Sequence, residues 1–155
     1  MYILAIVLHA SSGVIAFVLG IVFLFQHNLE KERKLMKIIL VCLVLLEVFL
    51  AGAIILHFDK LSVITRLTYG SLALLGLYMI LRAVQGIRVL LKQTKENKLP
   101  IIDHIGFILI SLFEGFSIVT AVDLKAPGWL IGVVAVGAVI LGINYIKAQK
   151  RKLLT

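Results

Sequence analysis

Residues 2–25 read YILAIVLHASSGVIAFVLGIVFLF, and nowhere in the first 29 residues is there an Asp, Glu, Lys or Arg. As a helix rising ~1.5 Å per residue, the stretch spans roughly 36 Å, more than the ~30 Å hydrocarbon core of a bilayer. The rival reading is a cleaved signal peptide, which needs a basic leader and an apolar run of only ~7–15 residues. Here no basic residue precedes the run, the run is longer, and positive charge follows it at Lys31, Arg33, Lys34 and Lys37. The stretch is therefore expected to stay in the mature protein as a first transmembrane helix, with its N-terminus outside.

Working outward, four more stretches have this character. One is 38–58, interrupted by Glu47. Another is 67–91, where only 15 uncharged residues separate Arg66 from Arg82 and both arginines can snorkel toward headgroups. A fourth, 101–122, follows Pro100 and is interrupted by Glu114. The last, 127–146, opens on Pro127, where a missing N–H costs little, and sets Trp129 at interfacial depth. The predicted fold is all-α, a single domain over residues 1–155 forming an integral membrane bundle of about five transmembrane helices.

Composition agrees. Apolar residues make up 61% of the chain and the mean hydropathy is +1.10, against ~45–50% apolar usage in soluble domains. That leaves no length for a soluble catalytic module. The net charge of +8 falls in short segments between apolar spans, so it reads as topology, with the lipid bilayer and not nucleic acid as partner. Cys42 is the single cysteine; it lies in an apolar span and reads as a core thiol.

Cytoplasmic loops carry an excess of Lys and Arg. On one side lie Lys31, Arg33, Lys34, Lys37, Arg82, Arg88, Lys92, Lys95, Lys98, Lys147, Lys150, Arg151 and Lys152; on the other lie Lys60, Arg66 and Lys125. Thirteen against three predicts a multi-pass cell-membrane protein with N-terminus out and C-terminus in, and a four- or six-helix count would spoil the bias. A faint repeat also runs through the chain: Leu46-Glu47-Val48-Phe49 and His57-Phe58-Asp59-Lys60 are echoed by Phe113-Glu114-Gly115-Phe116 and Asp123-Leu124-Lys125. It reads either as duplication of a two-helix unit or as chance similarity between apolar segments.

An ionisable side chain within a bilayer costs several kcal/mol and so calls for an explanation. Glu47, Arg82 and Glu114 qualify and fall at similar depth, giving a candidate buried charge cluster. It reads as a proton or cation relay, or as a structural ion pair beside a snorkelling arginine. Ser71, Tyr78, Arg82 and Gln85 fall within about 60° of one another at 100° per residue, a polar stripe expected to face the bundle interior; Ser111, Glu114 and Ser117 form a looser one. Hydroxyls at such positions are also ordinary glue between membrane helices.

The histidines give a second reading. His9 and His57 fall toward the outer side, His27 and His104 toward the inner, and neutral imidazole is a good axial ligand to haem iron. His9, His57 and His104 are the candidate haem b ligands. His27, about 27 Å of rise from His9, falls in the headgroup zone or loop. The alternatives are a smaller metal site at His9, His57 and Asp123, and interfacial histidines without a ligand. His9 shares one face with Gly13, Ala16 and Gly20, so it should pack against a neighbouring helix and needs a hydrogen-bond partner or ligand there. Gly128 and Gly132, then Ala138 and Gly142, repeat small-residue spacing in the last span, which suits helix packing or a homodimer. No HExxH, GxSxG, Walker, CxxC or Rossmann fingerprint appears, so no catalytic residue is assigned.

The first helix, Leu8-His9 followed by Gly13, Ala16 and Gly20, resembles a bacterial family of small multi-pass membrane proteins without a settled activity, itself similar to b-type cytochrome membrane domains. Tyr78, Gly86, Arg88 and then Asp103 resemble its later half. The resemblance implies a bacterial inner-membrane location and extends the haem reading. Family members often carry a His-Arg pair and a glycine after the first cytoplasmic loop; Glu32-Arg33-Lys34 stands here without that glycine, which counts against haem. The leading expectation is a non-enzymatic transport or accessory unit, alone or oligomeric. The alternatives are a haem b electron carrier and an interaction or immunity-type partner of another membrane protein.

Overall fold

The computed structural model describes residues 2–61, 63–93, 99–124 and 127–154, with only the backbone of Tyr2, Lys60, Ile64, Thr65, Val122, Asp123, Gly128, Ile131, Ala135 and 152–154. Lys95, Lys98 and Lys125, counted above, lie outside the described residues, as do the side chains of Lys60, Asp123 and Lys152. Five helices account for nearly everything described: α1 Tyr2–Phe25, α2 Leu29–His57, α3 Val63–Lys92, α4 Ile102–Asp123 and α5 Gly128–Leu154, with a 3₁₀ turn Phe58–Lys60 between α2 and α3. All five are long and apolar enough to cross a membrane, and the described residues include no strand.

The helices outrun the apolar stretches where polar ends can be capped. α2 begins at Leu29 and not at Ile38. Asn28 adopts extended dihedrals (φ −104°, ψ 119°), and its side-chain oxygen accepts from the Lys31 N–H at 3.1 Å. Glu30 and Glu32 then lie in the first turn, where carboxylates meet the positive end of the helix dipole. α5 continues past Ile146 through Lys147, Lys150 and Arg151, where cations suit the negative end. At the far end of α3, Arg33 donates from Nε to the Leu90 carbonyl (3.0 Å) and from Nη2 to that of Gln93 (2.9 Å). Carbonyls that a helix end leaves without partners thus receive donors from α2.

Consecutive helices α1 to α4 pack side by side and α4 returns to α1, closing a four-membered ring; α5 stands outside it, its extended contact being with α4. The ring closes through small residues. A Cβ on Gly13 would meet Leu46 Cδ1 at 3.1 Å, one on Gly20 would meet Leu109 Cδ2 at 2.7 Å, and one on Gly86 would meet Ile101 Cδ1 at 2.9 Å. On the outside, Ile146 of α5 occupies the space above Gly106 and Ile110 of α4 that above Gly142, so the two helices exchange knobs and holes. Lys150 adds an ion pair to Asp103 at 2.5 Å.

The most deeply buried large side chains are Phe23, Met36, Ile39, Leu43, Leu90, Ile101, Ile105 and Ile108, with Glu32 among them. Most of these cluster toward the end of the bundle that holds the α1–α2 and α3–α4 connections, hereafter the basic end. This cluster is held by close van der Waals contact between the helices. The opposite half of the ring is packed more loosely. The outward faces are apolar, with Ile3, Val41, Val48, Leu74 and Leu141 exposed.

Candidate functional site

The looser half holds a cavity of about 560 Å³ bounded by α1, α2, α3 and α4. It forms because α1 and α4 touch closely only toward the basic end, at Gly20 and Leu109 and through the Phe17 and Phe113 rings, stacked at 6.4 Å between centroids and 28° between planes. Beyond that contact the wall includes the small residues Ala10 on α1 and Gly115 on α4, beside the larger Ile6, Val14, Phe116 and Val119. A Cβ on Gly115 would meet only Leu72 Cδ2, at 3.9 Å. Val14, Phe113 and Phe116 line the cavity and are still 48, 50 and 62% exposed, so it opens sideways through the surface of the bundle between α1 and α4.

Two polar side chains on the wall are oriented by the fold. His9 Nδ1 lies 2.9 Å from the Leu46 carbonyl oxygen on α2. A carbonyl only accepts, so Nδ1 carries the proton, and in a neutral imidazole Nε2 is left as an acceptor. This is the partner that the small-residue face of α1 predicts. Ser111 on α4 is only 4% exposed. Ser12, Ser71, Ser117 and Thr120 each donate to the carbonyl four residues earlier, as membrane serines and threonines commonly do. Ser111 makes no such bond. Sequence reasoning placed Ser111 in a loose stripe and missed the cavity; the small residues on α1 and α4 were the available signal.

The other histidines lie elsewhere. His57 ends α2, whereas His104 lies in the first turn of α4 at the basic end, with its Cβ beside Gly86. Neither lines the cavity that His9 lines. His27 lies between α1 and α2, its N–H donating to Gln26 Oε1. Among the described residues no group of three or more His, Cys, Asp or Glu is placed to hold a metal ion; the Asp123 side chain falls outside them.

Glu47, Arg82 and Glu114 have different neighbours among the described residues. The Glu47 carboxylate lies against Gly76 of α3, with Oε2 buried and without a hydrogen bond. Arg82 donates from Nη2 to the Asp103 carbonyl at 3.1 Å, and its guanidinium carbon lies 5.7 Å from the Phe107 ring centroid, close to the basic end. Glu114 is half-buried on α4, and no ion pair joins either glutamate to Arg82 among the described residues. The polar stripe of α3 corrects an expectation. It follows the α3–α4 seam, with Ser71 exposed and Tyr78 46% exposed edge-on to Phe107, because Gly76, Met79 and Ala83 take the inward face.

No family model, curated protein or solved structure matches the chain.

Proposed function

We propose that the protein is a multi-pass membrane protein, basic end in the cytoplasm, and that it is a small non-enzymatic transport or accessory unit that takes a lipid-soluble molecule into the cavity from the bilayer. The thirteen-to-three bias in Lys and Arg supports the orientation, which sets the cavity toward the outer half of the membrane. The observation that carries the reading is a side-opening cavity with an oriented imidazole on its wall; concave apolar sites with a few placed polar groups are the usual form of a ligand site. Glu47, an acid without a partner at depth, is the group available to couple movement to protons. The test is native mass spectrometry of protein released from native-lipid nanodiscs, comparing the parent with Gly115→Phe, which fills the cavity. A bound small molecule present in the parent and lost in the variant is expected. Identical adducts on both would sink the reading, and Glu47→Gln should also change pH-dependent flux in proteoliposomes.

A second reading, haem b ligated by His9, is favoured by one observation. A ligating histidine usually donates its other ring N–H to a backbone carbonyl or carboxylate, as His9 Nδ1 does to Leu46. His57 and His104 lie outside the cavity, so Met79 on its wall is the remaining candidate for a second axial ligand. A haem spectrum that shifts on dithionite reduction and vanishes in His9→Ala would support it; a colourless protein after expression with haem supplied would exclude it.

A further inference from the structure

We infer that the cavity is a binding site for a lipid-soluble phenol of the hydroquinone class, held by its ring hydroxyls at His9 and Ser111. The inference rests on the ligand-site reading above and names the chemistry of the ligand.

The imidazole decides the kind of polar group. Because Nδ1 is committed to the Leu46 carbonyl, the neutral form of this cavity-lining imidazole has only Nε2 left, as an acceptor, and a ligand with a donor satisfies it. A hydroxyl qualifies; a quinone, ketone or ether does not. Ser111 supplies the second anchor. The residue is 4% exposed, lines the cavity from α4 and, among the described residues, makes no bond to its own helix of the kind that Ser12, Ser71, Ser117 and Thr120 make. A hydroxyl free of its own helix on an otherwise apolar wall is available to a ligand that brings a polar group of its own.

The rest of the wall decides the body of the ligand. Phe17, Phe113 and Phe116 give aromatic faces and edges, and the Met79 thioether is a soft neighbour for a ring. No charged side chain is among the described lining residues, so a phosphate headgroup or a carboxylate has no counter-ion there. The opening between α1 and α4 faces the side of the bundle, where a molecule dissolved in lipid arrives and where an alkyl tail can remain. A hydroquinone carries donors at both ends of one flat ring and meets all of these demands. A saturated alcohol meets only the donor, and an acyl chain meets neither His9 nor Ser111.

The experiment is equilibrium binding to the full chain in nanodiscs, with empty nanodiscs subtracted and oxygen excluded. The probes are tritiated decylhydroquinone, its dimethyl ether and decylbenzoquinone. The hydroquinone is expected to bind at least about tenfold tighter than the ether or the quinone, the scale of one buried hydrogen bond. His9→Leu should abolish that preference, bringing the hydroquinone, its ether and the quinone to equal affinity. Ser111→Ala, which disturbs no bond of the fold, should weaken the hydroquinone about threefold or more. Equal binding of all three probes, with Gly115→Phe removing it, would overturn the hydroquinone assignment and leave the ligand site standing. No saturable binding of any probe to the parent would overturn both.

Discussion

The carboxylate of Glu47 occupies the space that a methyl group on Gly76 would fill; Glu47 Cδ itself lies 2.9 Å from where that carbon would stand. A transmembrane helix ordinarily gains from replacing glycine by alanine, by ~0.5–1 kcal/mol. Here the whole acid group must move. Gly76→Ala should lower stability by roughly 1–2 kcal/mol through overpacking. In a Glu47→Ala background the same change should stabilise by ~0.5–1 kcal/mol. A double-mutant cycle by thermal or denaturant unfolding in detergent measures the reversal. Same-sign effects in both backgrounds would mean that the carboxylate moves aside freely.

The polar contacts at the basic end should differ in worth. Arg33 serves two α3 carbonyls at 3.0 and 2.9 Å and is only partly exposed, so Arg33→Ala should cost roughly 1.5–3 kcal/mol. Lys150 and Asp103 approach to 2.5 Å, but their side chains are 31% and 53% exposed, so Asp103→Asn should cost less than about 1 kcal/mol. Unfolding midpoints of the two variants, side by side, check the order.

Orientation is open to labelling in a Cys42→Ser background. Lys34→Cys, exposed at the basic end, should react with a membrane-impermeant maleimide only after cells are permeabilised. Asp59→Cys, exposed at the opposite end, should react in intact cells. The reverse pattern would turn the bundle over.

Gly142 is the hole that receives Ile110, and Gly142→Leu removes it. The variant should loosen α5 from α4 and leave the ring of four intact. Disulfide crosslinking between cysteines placed at Gly106 and Ile146 should fall, and crosslinking between cysteines at Gly13 and Leu46 should not.

Much of this was legible in the sequence because bilayer thickness imposes a length on every span. Tyr2–Phe25 emerges with the bounds its apolar stretch has, and five helices lie where five apolar stretches do. The start of α2 was not legible from hydropathy, since residues 29–37 are polar and their helicity comes from the Asn28 cap and from Met36 packing into the bundle. The small face of α1 was legible as spacing, and it predicted that His9 has a neighbour. Which atom that neighbour presents depends on register between helices, which periodicity within one helix does not encode. Arg82 illustrates the same limit. Its depth resembled that of Glu47 and Glu114, yet a flexible side chain reached the Asp103 carbonyl instead. The cavity is a property of four helices at once, and no single stretch carries it.

The position of α5 bears on how the chain is made. The four ring helices leave the ribosome before α5, and the main contacts of the ring are made without it. The ring can therefore assemble while residues 128–154 are still being synthesised, and α5 arrives afterwards as a strut against the back of α4. Because α4 forms a wall of the cavity with its other face, a segment made after the ring braces the site that α1 to α4 enclose.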